Sequence, residues 1–103
     1  MSEMITNSEM NIVTPLSNTL QKASSMAISL DKPICLDYYV DSYNKKCKIA
    51  RDGNDGDKFL YKNPDEYTSP LKGMFKVNGN SNDSFDLIFE TQNSIYIASG
   101  NML

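Results

Sequence analysis

The chain has 103 residues, a formal net charge of -3 and no histidine. That length supports one domain with a single modest core, and without imidazole the usual general base and the commonest metal ligand are gone. Nine lysines against the single Arg51 leave little of the bidentate phosphate and base recognition that nucleic-acid binding relies on, so nucleic acid is not the expected partner.

Residues 1–12 are polar and aperiodic and are expected to form a loosely held tail, with residues 13–103 making a single domain. Met1-Ser2-Glu3-Met4 carries no basic segment and no apolar run follows, so no signal peptide is expected. Thr14-Pro15 then reads as an N-cap followed by proline at the first helical position. Leu16, Leu20, Ala23, Ala27 and Leu30 recur at helical spacing with serine, asparagine, glutamine and lysine between them, which predicts an amphipathic helix over roughly 15–28. Its serines weaken it, so it must pack against something.

After Pro33 the rhythm changes to alternation. Residues 34–40 and 45–51 are expected to pair about Asp41-Ser42-Tyr43-Asn44, with Leu36 facing Ile49, Tyr38 facing Cys47 and Asp37 opposite Lys48. The cluster Asp52-Gly53-Asn54-Asp55-Gly56-Asp57 reads as a turn, followed by a short strand at 58–61 and a loop from Asn63, where Pro64 suits a helical turn. Strands are expected at about 71–77 and 84–90, joined by a polar loop at 78–83. In the predicted register Val77 meets Phe85, Phe75 meets Leu87, Lys76 meets Asp86 and Lys72 meets Glu90. A three-residue loop at 91–93, with Asn93 in the left-handed position, then leads into a strand at 94–99. It sets Ile95 beside Phe89 and Ile97 beside Leu87.

The fold these elements predict is α+β: one N-terminal amphipathic helix packed on an antiparallel sheet of five or six short strands, either open and curved or closed into a small barrel. The helix covers the face carrying Ile34, Leu36, Tyr38, Val40, Cys47, Ile49, Phe75, Val77, Phe85, Leu87, Phe89, Ile95 and Ile97. On the opposite face Ile88 aligns with Met74 and Tyr96, flanked by the pairs Lys76–Asp86 and Lys72–Glu90. An apolar column with a charged rim has the anatomy of an interface, so Met74, Ile88, Tyr96, Lys72, Lys76, Asp86 and Glu90 are the candidate contacts of a homodimer.

No catalytic constellation is spaced suggestively, and no enzyme is expected. The acidic turn at 52–57 fits no frame of a calcium loop, and the glycines match no phosphate-binding spacing, so neither metal nor cofactor is expected. Ser69-Pro70 and the acid-flanked Tyr67 are conceivable modification sites, although Pro70 has a plainer role in setting up the next strand. Cys35 and Cys47 do not face each other in the predicted register and read as reduced thiols of an intracellular protein. The six tyrosines tolerate half-wet surfaces, and some should lie at sheet edges or an interface.

The runs Asp31-Lys32-Pro33-Ile34, Leu36-Asp37-Tyr38-Tyr39-Val40-Asp41-Ser42, Glu66-Tyr67-Thr68-Ser69-Pro70 and Asn93-Ser94-Ile95-Tyr96 resemble a family of small proteins encoded by giant DNA viruses of the Mimivirus group, over about residues 26–98. Eleven asparagines and the lysine bias are compatible with an AT-rich genome. The resemblance implies a viral protein of the host cytoplasm or the virion and carries no activity or functional residue with it. Two functions remain open: a homodimeric interaction or structural protein with a further protein partner, and a small-ligand binding domain whose pocket is lined by Tyr, Met and Cys.

Overall fold

A computed structural model describes residues 13–79 and 84–103 of the chain. The expected tail at 1–12 and most of the expected loop at 78–83 lie outside them. The fold is α+β, and the described residues form seven strands, one long helix and one short one. Helix α1 (Ser17–Leu30) is followed by β1 (Ile34–Cys35), α2 (Tyr39–Tyr43), β2 (Lys48–Arg51), β3 (Lys58–Asn63), β4 (Glu66–Tyr67), β5 (Gly73–Asn78), β6 (Phe85–Glu90) and β7 (Ile95–Ser99). A 3-10 turn (Gly100–Met102) closes the chain.

The strands form two sheets instead of one. A four-stranded sheet runs in the order β1-β7-β6-β5, and a three-stranded sheet in the order β2-β3-β4. Among the described strands β1 alone is parallel to its neighbour. Helix α1 lies on one face of the larger sheet, where Ala23, Tyr39, Ile88, Ile95 and Ile97 form one buried cluster. The smaller sheet covers the other face, where Leu60, Cys47 and Tyr38 meet Leu87, Phe89 and Ala98. The layers are therefore helix, sheet, sheet, and β6 is buried on both sides.

The helix begins two residues later than expected, with Leu16 as its N-cap, and ends at Asp31 in the left-handed region (φ 54°). Its buried stripe is Thr19 and Ala23 with Met26 and Ala27, and Leu20 and Leu30 turn outward. Small side chains on that stripe let the helix approach the sheet closely.

The first hairpin is not formed. Residues 39–43 make a helical turn, Lys45 takes a positive φ of 62°, and β2 pairs with β3 across the turn at 52–57. Leu36 and Val40, expected in the core, are exposed. The other two registers are each shifted by one residue. Gly73 pairs with Glu90, Phe75 with Ile88 and Val77 with Asp86, while Phe89 pairs with Tyr96 and Ile88 with Ile97. The second shift has a clear cause. Thr91 extends the β6–β7 ladder by one rung, its N–H donating to the Ser94 carbonyl at 2.9 Å and its Oγ1 accepting from Ser94 N–H. The turn thus has Gln92 and Asn93 at its tip, with no positive φ at Asn93.

Candidate functional site

The one-residue shifts carry Asp86, Ile88 and Glu90 of β6 to the face under α1 and leave Met74, Lys76 and Tyr96 on the opposite face. Ile88 points under α1 and is fully buried, whereas Met74 and Tyr96 lie on the sheet's other face. Tyr96 packs there edge-on against Tyr38, ring centroids 5.5 Å apart. The column Met74–Ile88–Tyr96 therefore does not exist as a surface. Lys76 stands opposite Leu87 and sets its Nζ 4.4 Å from the Phe85 ring centroid, so it does not meet Asp86. Glu90 pairs with Lys32 rather than Lys72, and Lys32 also donates to the Thr91 carbonyl at 2.8 Å. That ion pair holds the Glu90 carboxyl below the usual carboxylate range, chiefly through the Lys32 hydrogen bond.

Asp86 is buried against the start of α1. Its carboxylate accepts from Leu16 N–H at 2.9 Å, Thr19 Oγ1 at 2.7 Å and the Tyr39 hydroxyl at 2.7 Å. A carboxylate at a helix N-terminus satisfies an orphan donor and suits the helix dipole. Leu16 has no capping side chain of its own, so β6 supplies one. Burial and the bond to Asp86 push the Tyr39 hydroxyl far above the usual tyrosine range. It keeps its proton and serves as a donor. The cluster thus pins α1, α2 and β6 together.

The feature that stands open is the outer edge of β5. Gly79 N–H donates to the Ser84 carbonyl at 2.9 Å, and bonded and non-bonded pairs alternate along an antiparallel ladder. Gly73, Phe75 and Val77 therefore bond to β6. Met74, Lys76 and Asn78 turn their N–H and C=O groups outward, where β5 has no further strand among the described residues. Met74 and Phe75 are 54% and 41% exposed beside this edge. Between β5 and α1 runs a groove of about 400 Å³, lined by Lys22, Met26, Leu30, Phe75 and Glu90. Lys22 Nζ lies 5.9 Å from the Phe75 ring centroid. With Glu90 held by Lys32, the lysines at 22, 72 and 76 give the edge a positive rim.

The β7 side of the same sheet is closed. Ile95 N–H donates to the Pro33 carbonyl at 2.8 Å, β1 pairs along Ile95 and Tyr96, and Ser99 N–H donates to Ser42 Oγ at 2.7 Å. Proline, a two-residue strand and a serine of α2 together satisfy that edge.

Sequence reasoning placed Lys72, Met74 and Lys76 on a strand at about 71–77, whereas β5 begins after Lys72, at Gly73, and it missed that this strand is an edge. It also missed Lys62, which bonds Asp41 at 2.9 Å, donates to the Asp37 carbonyl at 2.6 Å and sits over the Tyr38 ring at 4.4 Å. Lys62 thereby ties the smaller sheet to the 37–41 segment. The cysteines are both free, Cys47 buried and Cys35 half-buried, and burial raises the Cys47 thiol pKa. Among the described residues no acid or cysteine group is arranged to hold a metal ion, and no helix is long and apolar enough to cross a membrane. No family model matches the chain, and neither a curated protein nor a solved structure matches it.

Proposed function

We propose that the protein is a non-enzymatic interaction module that receives an extended, carboxylate-bearing segment of a partner protein as an added strand on β5. The observation that carries this reading is the open edge itself: three outward-facing backbone rungs beside an apolar groove. Strand addition draws affinity from main-chain hydrogen bonds and specificity from alternate side chains. Apolar residues of the partner would fill the groove between α1 and β5, and its acids would meet the lysines. A second copy of the chain is the poorer occupant. Antiparallel pairing of two β5 edges about a twofold axis would gather Lys22, Lys72 and Lys76 of both copies, and like charges across strands are destabilising. The viral setting implied by the resemblance to the Mimivirus-group proteins would make that partner a virion or host-cytoplasm protein, and purified particles lacking the chain would remove the virion half of this reading.

A capped peptide of alternating valine and glutamate is the direct probe. It should shift and protect the amides of Met74, Lys76 and Asn78, and a valine–lysine peptide should not. Lys76→Pro removes one outward N–H without touching the bonds to β6, so it should abolish binding in a folded protein. Shifts elsewhere, or none at saturating peptide, would sink the proposal. Concentration-dependent dimerisation that protects the same three amides would hand the edge to a second copy. Protection already present in the full chain, and lost on removing residues 1–12, would make the occupant intramolecular.

A further inference from the structure

The outer face of the smaller sheet carries a second site, independent of the β5 edge. In β3 the side chains alternate, so Leu60 enters the core while Phe59 and Tyr61 face outward. Tyr67 of β4 pairs with Tyr61 and joins them on that face. The three rings form one cluster. Phe59 and Tyr67 are tilted at 5.8 Å, and Tyr61 and Tyr67 are stacked at 6.5 Å with 19° between their planes. A solvated sheet face is ordinarily polar. Here it is aromatic, with Tyr67 59% exposed.

The turn between β2 and β3 borders a half-open cavity of about 380 Å³ beside these rings, whose walls include Asp52, Asp55 and Asp57 along with Phe59, Tyr61 and Tyr67. Asp52 accepts from Asn54 N–H at 2.7 Å and Asp55 from Asp57 N–H at 3.2 Å, each through Oδ1; Asp55 and Asp57 are exposed and Asp52 is half-buried. Lysine and arginine are absent from the cavity wall. Lys48 of β2 lies outside it, 5.8 Å from the Tyr61 ring centroid.

We infer that this cavity binds a small alkylammonium cation of the choline class. Three carboxylates within six residues set the sign of the charge. The rings set its character, because aromatic faces attract cations through their quadrupole and favour those with an apolar shell over strongly hydrated ions. The same rings give methyl groups apolar area to bury. A Tyr-lined ligand pocket was among the expectations from sequence. Neither Met nor Cys belongs to it.

The test uses the full chain, choline, and dimethylbutanol, the neutral isostere in which a carbon replaces the nitrogen. Choline should bind saturably, with amide shifts confined to 52–61 and 67–69, and dimethylbutanol should bind more weakly by about fivefold or more, the equivalent of a single cation–π contact of about 1 kcal/mol. Tyr67→Ala and Asp57→Asn alter exposed side chains, so both variants should fold, and each should weaken choline severalfold. Equal affinity for the two ligands would reduce the site to an apolar pocket and overturn the assignment, as would the absence of saturable choline binding. A trimethyllysine peptide that bound far more tightly than choline would overturn the small-molecule source.

Discussion

The two edges of the four-stranded sheet face the same physical problem and meet it differently. On the β7 side each outward N–H has a partner: Pro33 carbonyl for Ile95, the β1 ladder in the middle, and Ser42 Oγ for Ser99. On the β5 side Met74, Lys76 and Asn78 have no strand beyond them among the described residues. An uncovered edge is a template for pairing with another chain, and proteins ordinarily blunt it with covering elements, bulges or charge. The β5 edge has lysine but, among the described residues, no covering strand. It also has a groove beside it, which a merely protected edge does not need.

The sharpest way to break the comparison is to place proline in each strand. Ile97→Pro sits in β7, fully buried and with its N–H turned toward β1. It should cost more than about 3 kcal/mol and leave little folded protein by circular dichroism. Lys76→Pro has its N–H in solvent and should stay within about 1 kcal/mol of wild type in denaturant titration. Comparable losses in both strands would mean that the β5 edge is covered after all.

A finer test addresses the cover on β7. Ser42 is fully buried, accepts from Ser99 N–H and donates to the Tyr39 carbonyl at 2.6 Å. Ser42→Ala leaves a buried N–H without a partner and should cost about 1–2 kcal/mol. It should also speed hydrogen exchange at Ser99 well beyond exchange at Ile95, whose partner is the Pro33 carbonyl. Unchanged protection at Ser99 would show that another group closes that edge.

How much of this was legible in the sequence follows from what each signal measures. Apolar spacing found α1, β5, β6 and β7 within two residues, because periodicity reports local geometry. It also fixed the α+β class, since a helix stripe and alternating strands must bury against each other. It did not fix register. In Phe85-Asp86-Leu87-Ile88-Phe89 the apolar run is almost continuous, as in strands buried on both faces. Alternation therefore gave no reason to prefer one face, and the choice fell on an assumed loop length that Thr91 overrides. The segment 36–44 misled for a different reason. Its alternating Leu36, Tyr38 and Val40 read as a strand, yet Tyr39 is drawn inward by a bond to Asp86, 47 residues away, a contact no local pattern reveals. The aromatic cavity was half visible. Phe59 and Tyr61 at alternate positions share a face in any strand, but Tyr67 joins them only once β4 is paired.

The smallest expected effect concerns Glu90, which lies at the end of β6 between a lysine from each side of the sheet. Lys32 reaches it from the closed side and Lys72 from the open side, and the Lys32 hydrogen bond is the main cause of its lowered pKa, with the charge of Lys72 a lesser one. A carboxyl whose folded pKa lies below its unfolded value of about 4.3 contributes stability that is fully present above that value. The contribution is lost as pH falls through the folded pKa. Lys32→Met should therefore lower the denaturation midpoint relative to wild type by a constant amount from neutral pH down to about pH 5. The gap should narrow at lower pH as Glu90 takes up its proton. Lys72→Met should shift the midpoint less and change the acid limb little. If Lys72→Met flattened the acid limb as much as Lys32→Met, the open side would hold Glu90 as firmly as the closed one. The lysine rim assigned to partner recognition would then lose Lys72.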